Sequence, residues 1–142
     1  MRRNFAMGMS RRCVPFTPFD AKLSESMVAL VSKAGVHLKD QELFKLDGDN
    51  TIRVLPGDVT SADLMVTDGH YDHADADRDI NCIFPIDRLR ELHRDGLIGG
   101  LGDKHIGLGY SLNLKETYEV TAPQVADLIE RSKADLVVLT AG

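Results

Sequence analysis

The sequence predicts an α/β fold, an open and mostly parallel β-sheet with helices on both faces. Short apolar runs of strand length alternate along the chain with segments of helical spacing. The runs are continuous rather than alternating with polar residues, which is typical of parallel strands buried on both faces. Clusters of glycine, proline and aspartate separate them, as turns do. Strands alternating with helices favour this class over all-α or all-β folds.

The composition and charge of the chain exclude some classes of binding partner. A chain of 142 residues corresponds to about one domain, and its 43% hydrophobic and 27% charged residues are ordinary for a globular protein. The formal net charge of −5 argues against a nucleic acid or an anionic membrane as partner. The basic N-terminus lacks the apolar core of a signal peptide, and no run approaches the ~20 apolar residues of a membrane span. We therefore expect a cytoplasmic protein.

Residues 1–26 contain prolines and glycine without a regular apolar period, which predicts an extended arm, and residues 27–142 form the predicted α/β domain. The two cysteines, Cys13 and Cys82, match no metal-binding spacing and are interpreted as reduced thiols. Because Cys82 directly precedes an apolar segment, it is predicted to be buried.

The first half of the domain contains three predicted strands. The run at residues 27–31 is the first and ends in a loop of small residues at 32–35. The second, at 51–55, follows an Asp/Gly/Asn turn and stops at a Pro-Gly pair. The third, at 64–67, runs directly into a segment rich in histidine and aspartate.

Helical spacing returns at Pro85, which is placed in the first turn because its missing N–H costs nothing there. Ile86, Leu89 and Leu92 are predicted to lie on the apolar face of this helix, with His93 as a further candidate, and Gly96 is at the terminating position. A fourth strand is predicted at residues 97–101, and a glycine-rich loop around His105 is predicted to extend to Gly109.

A second helix is predicted to be capped by Thr121, with Pro123 in its first turn and Gln124 at the capping-box position. The last element, residues 135–140, is an apolar run typical of a central parallel strand. This order predicts a Rossmann-like or flavodoxin-like sheet. Such a strand normally continues into a covering helix, so we expect the fold to be incomplete at its C-terminus.

The densest polar cluster spans residues 67–79 and holds two histidines and five aspartates. Imidazole and carboxylate ligands can bind zinc or iron. The spacing differs from the His-x-His-x-Asp-His pattern of metallo-β-lactamase-like hydrolases, so a solvated loop with histidines lining a cleft is the alternative. If the segment binds metal, the chain is a metal-dependent hydrolase or a metal-binding domain, with the ligands His70, His73, Asp75 and Asp77.

The glycine and serine motifs of the chain do not indicate a further function. The glycines at 99–102 and 107–109 lack the strand, turn and helix order of a nucleotide-binding fingerprint. No serine lies in a Gly-x-Ser-x-Gly elbow. The sequence therefore supports neither a nucleotide site nor a serine hydrolase.

An ordered set of segments resembles the selenocysteine-containing subunits of D-proline reductase and of glycine/sarcosine/betaine reductase. The likeness covers about residues 14–142, and the ending Leu139-Thr140-Ala141-Gly142 is most similar to the proline branch. The segments that carry it are residues 29–39, 56–58, 61–66, 79–92, 96–98 and 134–142.

The resemblance implies a reaction. In that family a selenocysteine, encoded by UGA, follows the last strand and would occupy the position after Gly142. A partner subunit supplies a pyruvoyl carbonyl that captures the substrate amine, the selenolate attacks the α-carbon, and the carbon–nitrogen bond is cleaved reductively. Thiols then reduce the selenium–sulfur or mixed diselenide-type intermediate. We therefore expect an N-terminal fragment that stops one residue before its nucleophile, binds no cofactor itself and is inactive alone.

Residues that could assist the selenium nucleophile are predicted from the positions of the strand ends. Functional side chains of open α/β sheets lie beyond the carboxyl ends of strands. The loops after Val31, Val66 and Leu101 should then surround the selenium. Proton carriers or donors are predicted at His37, His70, His73 and His105, with Asp72 or Asp75 as orienting partners. The alternative is that these are structural polar residues at an interface.

The partners expected from the resemblance are a pyruvoyl-containing subunit, a small amino-acid or amine substrate and further copies of the chain. A third interpretation, from another class, is a non-catalytic module that associates through an exposed sheet edge.

Overall fold

The computed structural model describes residues 18–142. The predictions for residues 1–17, including the thiol of Cys13, lie outside the described residues. The division into an arm and a domain stays a prediction. Within residues 18–142, no helix has the length and apolarity that a membrane crossing requires.

A mixed, mostly parallel sheet organises the molecule, as predicted. The central strand β1 (Met27–Lys33) pairs in parallel with β5 (Gly100–Leu101) and β6 (Lys104–Leu108) along one side and with β7 (Leu136–Ala141) along the other. Strand β3 (Ile52–Pro56) adds to β6 in antiparallel orientation. The sheet is open, in the order β3-β6-β1-β7, and β5 pairs with the start of β1 on the same side as β6.

Two further strands form a separate antiparallel ribbon. Strand β2 (Val36–Leu38) pairs with β4 (Leu64–Val66). The predicted third strand therefore exists, but it lies outside the main sheet. Its partner β2 was missed because three residues carry too short a pattern to read.

Helices lie on both faces. Helix α1 (Ala74–Arg78) and helix α2 (Ile86–Arg94) follow β4, and α3 (Leu114–Glu116), a π-helical turn (Thr117–Thr121) and α4 (Ala122–Glu130) connect β6 to β7. One face of β1 contributes Val28 and Leu30 to the core, where they join Phe84 and Ile86. Burying a side chain of this size stabilises the fold by about 2–3 kcal/mol.

Helix α2 largely confirms its prediction. Asn81 and Asp87 bond reciprocally at its start, with Asn81 Oδ1 accepting from the Asp87 N–H and Asn81 Nδ2 donating to Asp87 Oδ2, both at 3.0 Å. Pro85 occupies the N-cap instead of the first turn. Gly96 ends the helix at φ +74°, as its position predicted.

The predicted cap of the last helix is wrong, although Thr121 does directly precede α4 and Pro123 lies in its first turn. Thr121 has helical dihedral angles and lies inside a continuous helical segment, so neither it nor Gln124 caps anything. The segment begins at Asn113, whose side chain accepts a hydrogen bond from the Glu116 N–H. The π-helical turn directly precedes Pro123, which has no N–H to donate to the preceding turn.

Two strand predictions need correction. The fourth strand is shorter than predicted and spans only Gly100–Leu101. The segment predicted to be a glycine-rich loop is instead strand β6, which contains His105. Strand β7 is parallel, as predicted, but within the described residues it pairs only with β1 and lies at the sheet edge. Its residues alternate between half-buried and exposed.

Candidate functional site at the carboxyl edge of the sheet

Three parallel strands end side by side. Strand β1 ends at Lys33, which is in register with Ala141 of β7, and β6 ends at Leu108 on the other side. We call this end of the sheet the carboxyl edge. In open α/β sheets this is where ligands bind.

The loop after β4, residues 67–73, lies across the carboxyl edge. The Thr67 N–H donates to the Gly35 carbonyl at 2.9 Å, and the Tyr71 hydroxyl donates to the Ala34 carbonyl at 2.9 Å. Gly35 permits this approach: it has φ +70°, and a Cβ there would lie 2.4 Å from the Thr67 carbonyl oxygen. The loop position thus depends on glycine at residue 35.

Tyr71 connects this loop to the end of β7. A Cβ built on Gly142 would lie 2.4 Å from Cε1 and Cζ of the Tyr71 ring, so the ring packs directly on the backbone of Gly142. Burial, with the charges of Asp68, Cys82 and Asp77 nearby, raises the pKa of Tyr71 to about 12. The phenol therefore stays protonated and keeps its hydrogen bond at neutral pH.

His70 is oriented from two sides. The buried Asp68 accepts the backbone N–H of His70 at 2.8 Å through Oδ1, which also lies 3.3 Å from His70 Nδ1. The imidazole stacks on Tyr110, with ring centroids 3.4 Å apart and an interplanar angle of 17°. With Nδ1 turned toward Asp68, Nε2 points away from that carboxylate, and the side chain remains 32% exposed.

His73 lies beside Tyr71 at the start of α1. Its ring meets that of Tyr71 edge to face, with centroids 5.9 Å apart, and its Nδ1 lies 2.9 Å from Asp77 Oδ2. The structure therefore brings His73, Tyr71 and the end of β7 together. His70 lies in the same loop, stacked on Tyr110 after β6.

The predicted orienting carboxylates are wrong. Asp68 and Asp77 accompany the two histidines, whereas Asp72 accepts the Ala74 N–H and Asp75 pairs with Arg78 at 3.0 Å. The sequence showed five aspartates but not which of them a turn would direct toward an imidazole.

His37 lies in β2, not in a loop as predicted, and is fully buried. Its Nδ1 is 2.7 Å from the Leu38 carbonyl oxygen and must carry the hydrogen, since a carbonyl only accepts. Nε2 then accepts from the Thr67 hydroxyl at 2.8 Å. Both nitrogens are used inside the protein, and His37 reaches the carboxyl edge only through Thr67.

His105 lies in β6 and is also fully buried, below the carboxyl edge. Its Nδ1 accepts the Leu30 N–H at 3.0 Å, and its ring meets Phe84 edge to face. Burial, aided by the charge of Arg90, lowers the pKa of His105 to about 4. The ring is therefore neutral at physiological pH and is not grouped with His70 and His73.

Cys82 is exposed, which contradicts its predicted burial. It ends a short 3-10 helix over Ile80–Cys82. The next residue anchors this segment, because the Ile83 carbonyl accepts hydrogen bonds from both Ser32 of β1 and Thr140 of β7, at 3.2 and 2.6 Å. These bonds hold the backbone of the segment, and the thiol is left at the surface.

The metal alternative finds no support in the geometry. Among residues 18–142, no three histidine, cysteine, aspartate or glutamate side chains are grouped closely enough to hold a metal ion. Of the four proposed ligands, Asp75 is paired with Arg78 and Asp77 with His73.

Three site residues were missed by the sequence reasoning: Asp68, Tyr71 and Tyr110. Tyr110 follows β6, so the strand-end rule would have found it had β6 been recognised as a strand. Asp68 and Tyr71 lay inside the polar segment but carried no signal that separated them from their neighbours.

Comparisons with known proteins agree with the resemblance. The family model for glycine/sarcosine/betaine reductase selenoprotein B matches residues 2–142. D-proline reductase subunit gamma of Acetoanaerobium sticklandii is 43% identical over 128 residues, covering 89% of this chain and 53% of that protein.

Two further relatives are more distant. Glycine reductase complex component B subunit gamma of Symbiobacterium thermophilum is 30% identical over 89% of this chain and 31% of its own length. Sarcosine reductase complex component B subunit beta of Peptoclostridium acidaminophilum is 31% identical over 63% of this chain and 22% of its own. The chain thus spans about half the length of the first relative and less of the others. No solved structure gave a significant match.

Proposed function

Because the chain belongs to the glycine/sarcosine/betaine reductase selenoprotein B family, we propose that it is the amino-terminal part of the selenium-dependent subunit of a D-proline-type reductase. The proline branch is supported by 43% identity to D-proline reductase subunit gamma, against 30% and 31% for the glycine and sarcosine relatives. The reaction is the reductive cleavage of a carbon–nitrogen bond in a small amino acid, with thiols supplying the electrons.

The proposal needs two groups that this chain does not itself supply. A selenocysteine at the position after Gly142 would supply the nucleophile, and a pyruvoyl group on a partner subunit would hold the substrate amine. The arrangement at the carboxyl edge fits a nucleophile there, because Gly142 lies against Tyr71 and the His73 ring contacts this loop tyrosine edge to face. His70 belongs to the same loop.

The contact between Tyr71 and Gly142 is the observation that carries the proposal. It fixes the end of β7 relative to the loop that bears the histidines. Tyr71 is held by the hydrogen bond that its hydroxyl donates to the Ala34 carbonyl. Tyr71 thus acts as a positioning residue for whatever follows Gly142.

His70 and His73 are the proton carriers of the proposal. The departing nitrogen needs a proton when the carbon–nitrogen bond breaks, and an imidazole at hydrogen-bond distance can provide it. His70 is oriented for this by Asp68 and Tyr110, and His73 by Asp77. His37 and His105 are assigned structural roles, since both are fully buried.

The test is an activity assay of the full-length selenoprotein with its pyruvoyl partner, using a dithiol as reductant and D-proline, glycine, sarcosine and betaine as substrates. We expect turnover of D-proline, and a fall in kcat of about 100-fold in His70→Ala, in the range that general acid catalysis contributes. His93→Ala is the matched control, because His93 is an exposed histidine on α2, with its Nδ1 3.4 Å from the Ile98 carbonyl.

Unchanged turnover in both His70→Ala and His73→Ala would reject the assigned proton carriers. Turnover of glycine or betaine in place of D-proline would reject the branch. Sequencing the gene beyond codon 142 tests the nucleophile separately, and a UAA or UAG codon at that position would exclude a selenocysteine there.

The assembly follows from the same proposal. The named relatives are subunits of reductase complexes, which makes a partner subunit plausible for this chain. The pyruvoyl partner, self-association and a cytoplasmic location are parts of the proposal, which purification of the native complex would test directly.

A further inference from the structure

An apolar groove of about 430 Å³ lies between α4 and the outer face of β7. Its floor is formed by Val31 of β1 with Val137 and Leu139 of β7, and its wall by Val125 and Ile129 of α4. Its polar lining residues are Thr117, Thr121 and Glu130. Exposed apolar surface of this kind marks a contact surface.

Residues 18–142 leave this groove open. Leu139 is 75% exposed and Val137 38% exposed, although both belong to a strand of the main sheet. Helix α4 buries none of its residues fully, so its apolar stripe of Val125 and Ile129 is only half covered. An element with an unburied apolar face normally packs against another element.

We infer that the groove receives the helix that follows β7 in family polypeptides that continue past the residue matching Gly142. The inference depends on family membership and not on the selenium chemistry of the proposed function.

The handedness of the crossover from β6 to β7 determines which face of the sheet the next helix would cover. Strands β6 and β7 lie on opposite sides of β1 and run parallel to it, and the connection between them places α4 over the face of Val31 and Val137. Crossovers between parallel strands are right-handed in nearly all proteins. A further crossover from β7 in the same direction therefore places its helix on the same face, next to α4.

The opposite face offers no comparable space. There Val28 and Leu30 of β1 pack into the core with Phe84 and Ile86, and Leu136 and Val138 of β7 pack against the same cluster. A strand added beyond β7 would also satisfy the backbone groups on the outer edge of β7, which no strand among residues 18–142 pairs with.

Length and chemistry indicate the occupant. The chain spans 53% of D-proline reductase subunit gamma, so about half of that relative lies outside the matched part. Since the groove is lined mainly by aliphatic side chains, the helix should present an apolar stripe at i, i+3, i+4 and i+7 and keep polar residues outward.

Thiol labelling tests this. Leu139→Cys is introduced into a Cys13→Ser, Cys82→Ser background, once in the 142-residue chain and once in the same chain joined to the part of the Acetoanaerobium sticklandii subunit that follows its match to Gly142, with every cysteine and selenocysteine of that part replaced by serine. Maleimide labelling of residue 139 should be fast in the short chain and at least about ten-fold slower in the joined chain, because a covered side chain reacts only when the cover opens.

Leu97→Cys is the matched control, since Leu97 is also an exposed leucine, 58% accessible, but lies outside the groove. Its labelling rate should be the same in both chains. If the joined chain does not fold, the natural subunit gamma is labelled instead at the positions matching Leu139 and Leu97, with the same difference expected.

Two results would overturn the inference. Equally fast labelling of residue 139 in the long and short polypeptides would show that no helix covers the groove. Slow labelling already in the 142-residue chain would assign the cover to residues 1–17, or to a second copy if the rate depends on concentration.

Discussion

Single atoms determine how closely the loop of residues 67–73 approaches the carboxyl edge. Because Gly35 has no side chain, the Thr67 carbonyl oxygen can lie only 2.4 Å from the position that a Cβ would occupy there. In the same way, the absence of a side chain on Gly142 leaves room for the Tyr71 ring. One hydroxyl, that of Tyr71, then fixes the loop to the Ala34 carbonyl. The site geometry thus depends on two glycines and one phenol as much as on the histidines.

We predict that Gly35→Ala destabilises the fold by about 3 kcal/mol, combining the strain of a positive φ with the collision against the Thr67 backbone. Urea unfolding of the purified variant measures the loss. Gly96→Ala is the matched control: Gly96 has φ +74°, but a Cβ there meets nothing within 4 Å. Its expected loss is about 1 kcal/mol, the cost of the backbone conformation alone. Equal losses in the two variants would show that the loop does not press on residue 35.

At the scale of elements, the segment between β6 and β7 shows how a proline shapes a helix without ending it. Pro123 lacks an N–H, and the turn just before it, Thr117–Thr121, widens to a π-helix while the helical path continues from Leu114 to Glu130. A proline near a threonine suggested a helix start, but Thr121 instead donates to the Asn50 carbonyl at 3.2 Å. Its hydroxyl thereby holds the helix against the turn before β3.

The true start of this segment gives the second prediction. Asn113→Ala should destabilise the protein by about 1 kcal/mol, because the Glu116 N–H loses its capping acceptor. Asn113→Ser should recover most of that loss, since a serine oxygen can accept the same bond. Chemical denaturation with circular dichroism would measure both. An unaltered midpoint for Asn113→Ala would mean that the first turn contributes nothing to stability.

At the scale of the whole molecule, the fold buries two complete imidazoles in its interior. His37 joins the β2–β4 ribbon to the loop at the carboxyl edge, and His105 accepts the N–H of Leu30 in the central strand. His105 cannot be protonated at Nδ1 without giving up this acceptor role. The stability of the fold at low pH therefore depends on a buried histidine as well as on the surface carboxylates.

The third prediction follows from the lowered pKa of His105, about 4 against 6.5 for the free side chain. Below pH 6.5 the unfolded chain binds a proton that the folded chain does not, so stability falls as pH falls, and the loss is complete near pH 4. Between pH 7 and pH 5 this one group should remove about 2 kcal/mol of unfolding free energy. His105→Gln should lower the stability at pH 7 but weaken its dependence on pH over this range. A pH slope identical to that of the wild type would contradict the assignment.

The sequence by itself determined the fold class, the family and the strands that carry long apolar runs. The continuous run at residues 27–31 predicted a buried strand correctly, whereas the run at 135–140 predicted the strand but not its half-exposed position. The end of helix α2 was predictable from Gly96. The histidine-rich segment was also recognisable as the candidate site, because unusual composition is visible without coordinates.

Only the tertiary structure decided which residues meet. It separated His70 and His73, at the carboxyl edge, from His37 and His105, which are buried among backbone partners. It chose Asp68 and Asp77 over their neighbours and placed β7 at an edge of the described sheet. The physical reason is that a local pattern records how polar a residue's surroundings must be, whereas contacts between distant residues depend on strand register and loop path. At the candidate site the path of the loop of residues 67–73 depends on its close approach to Gly35.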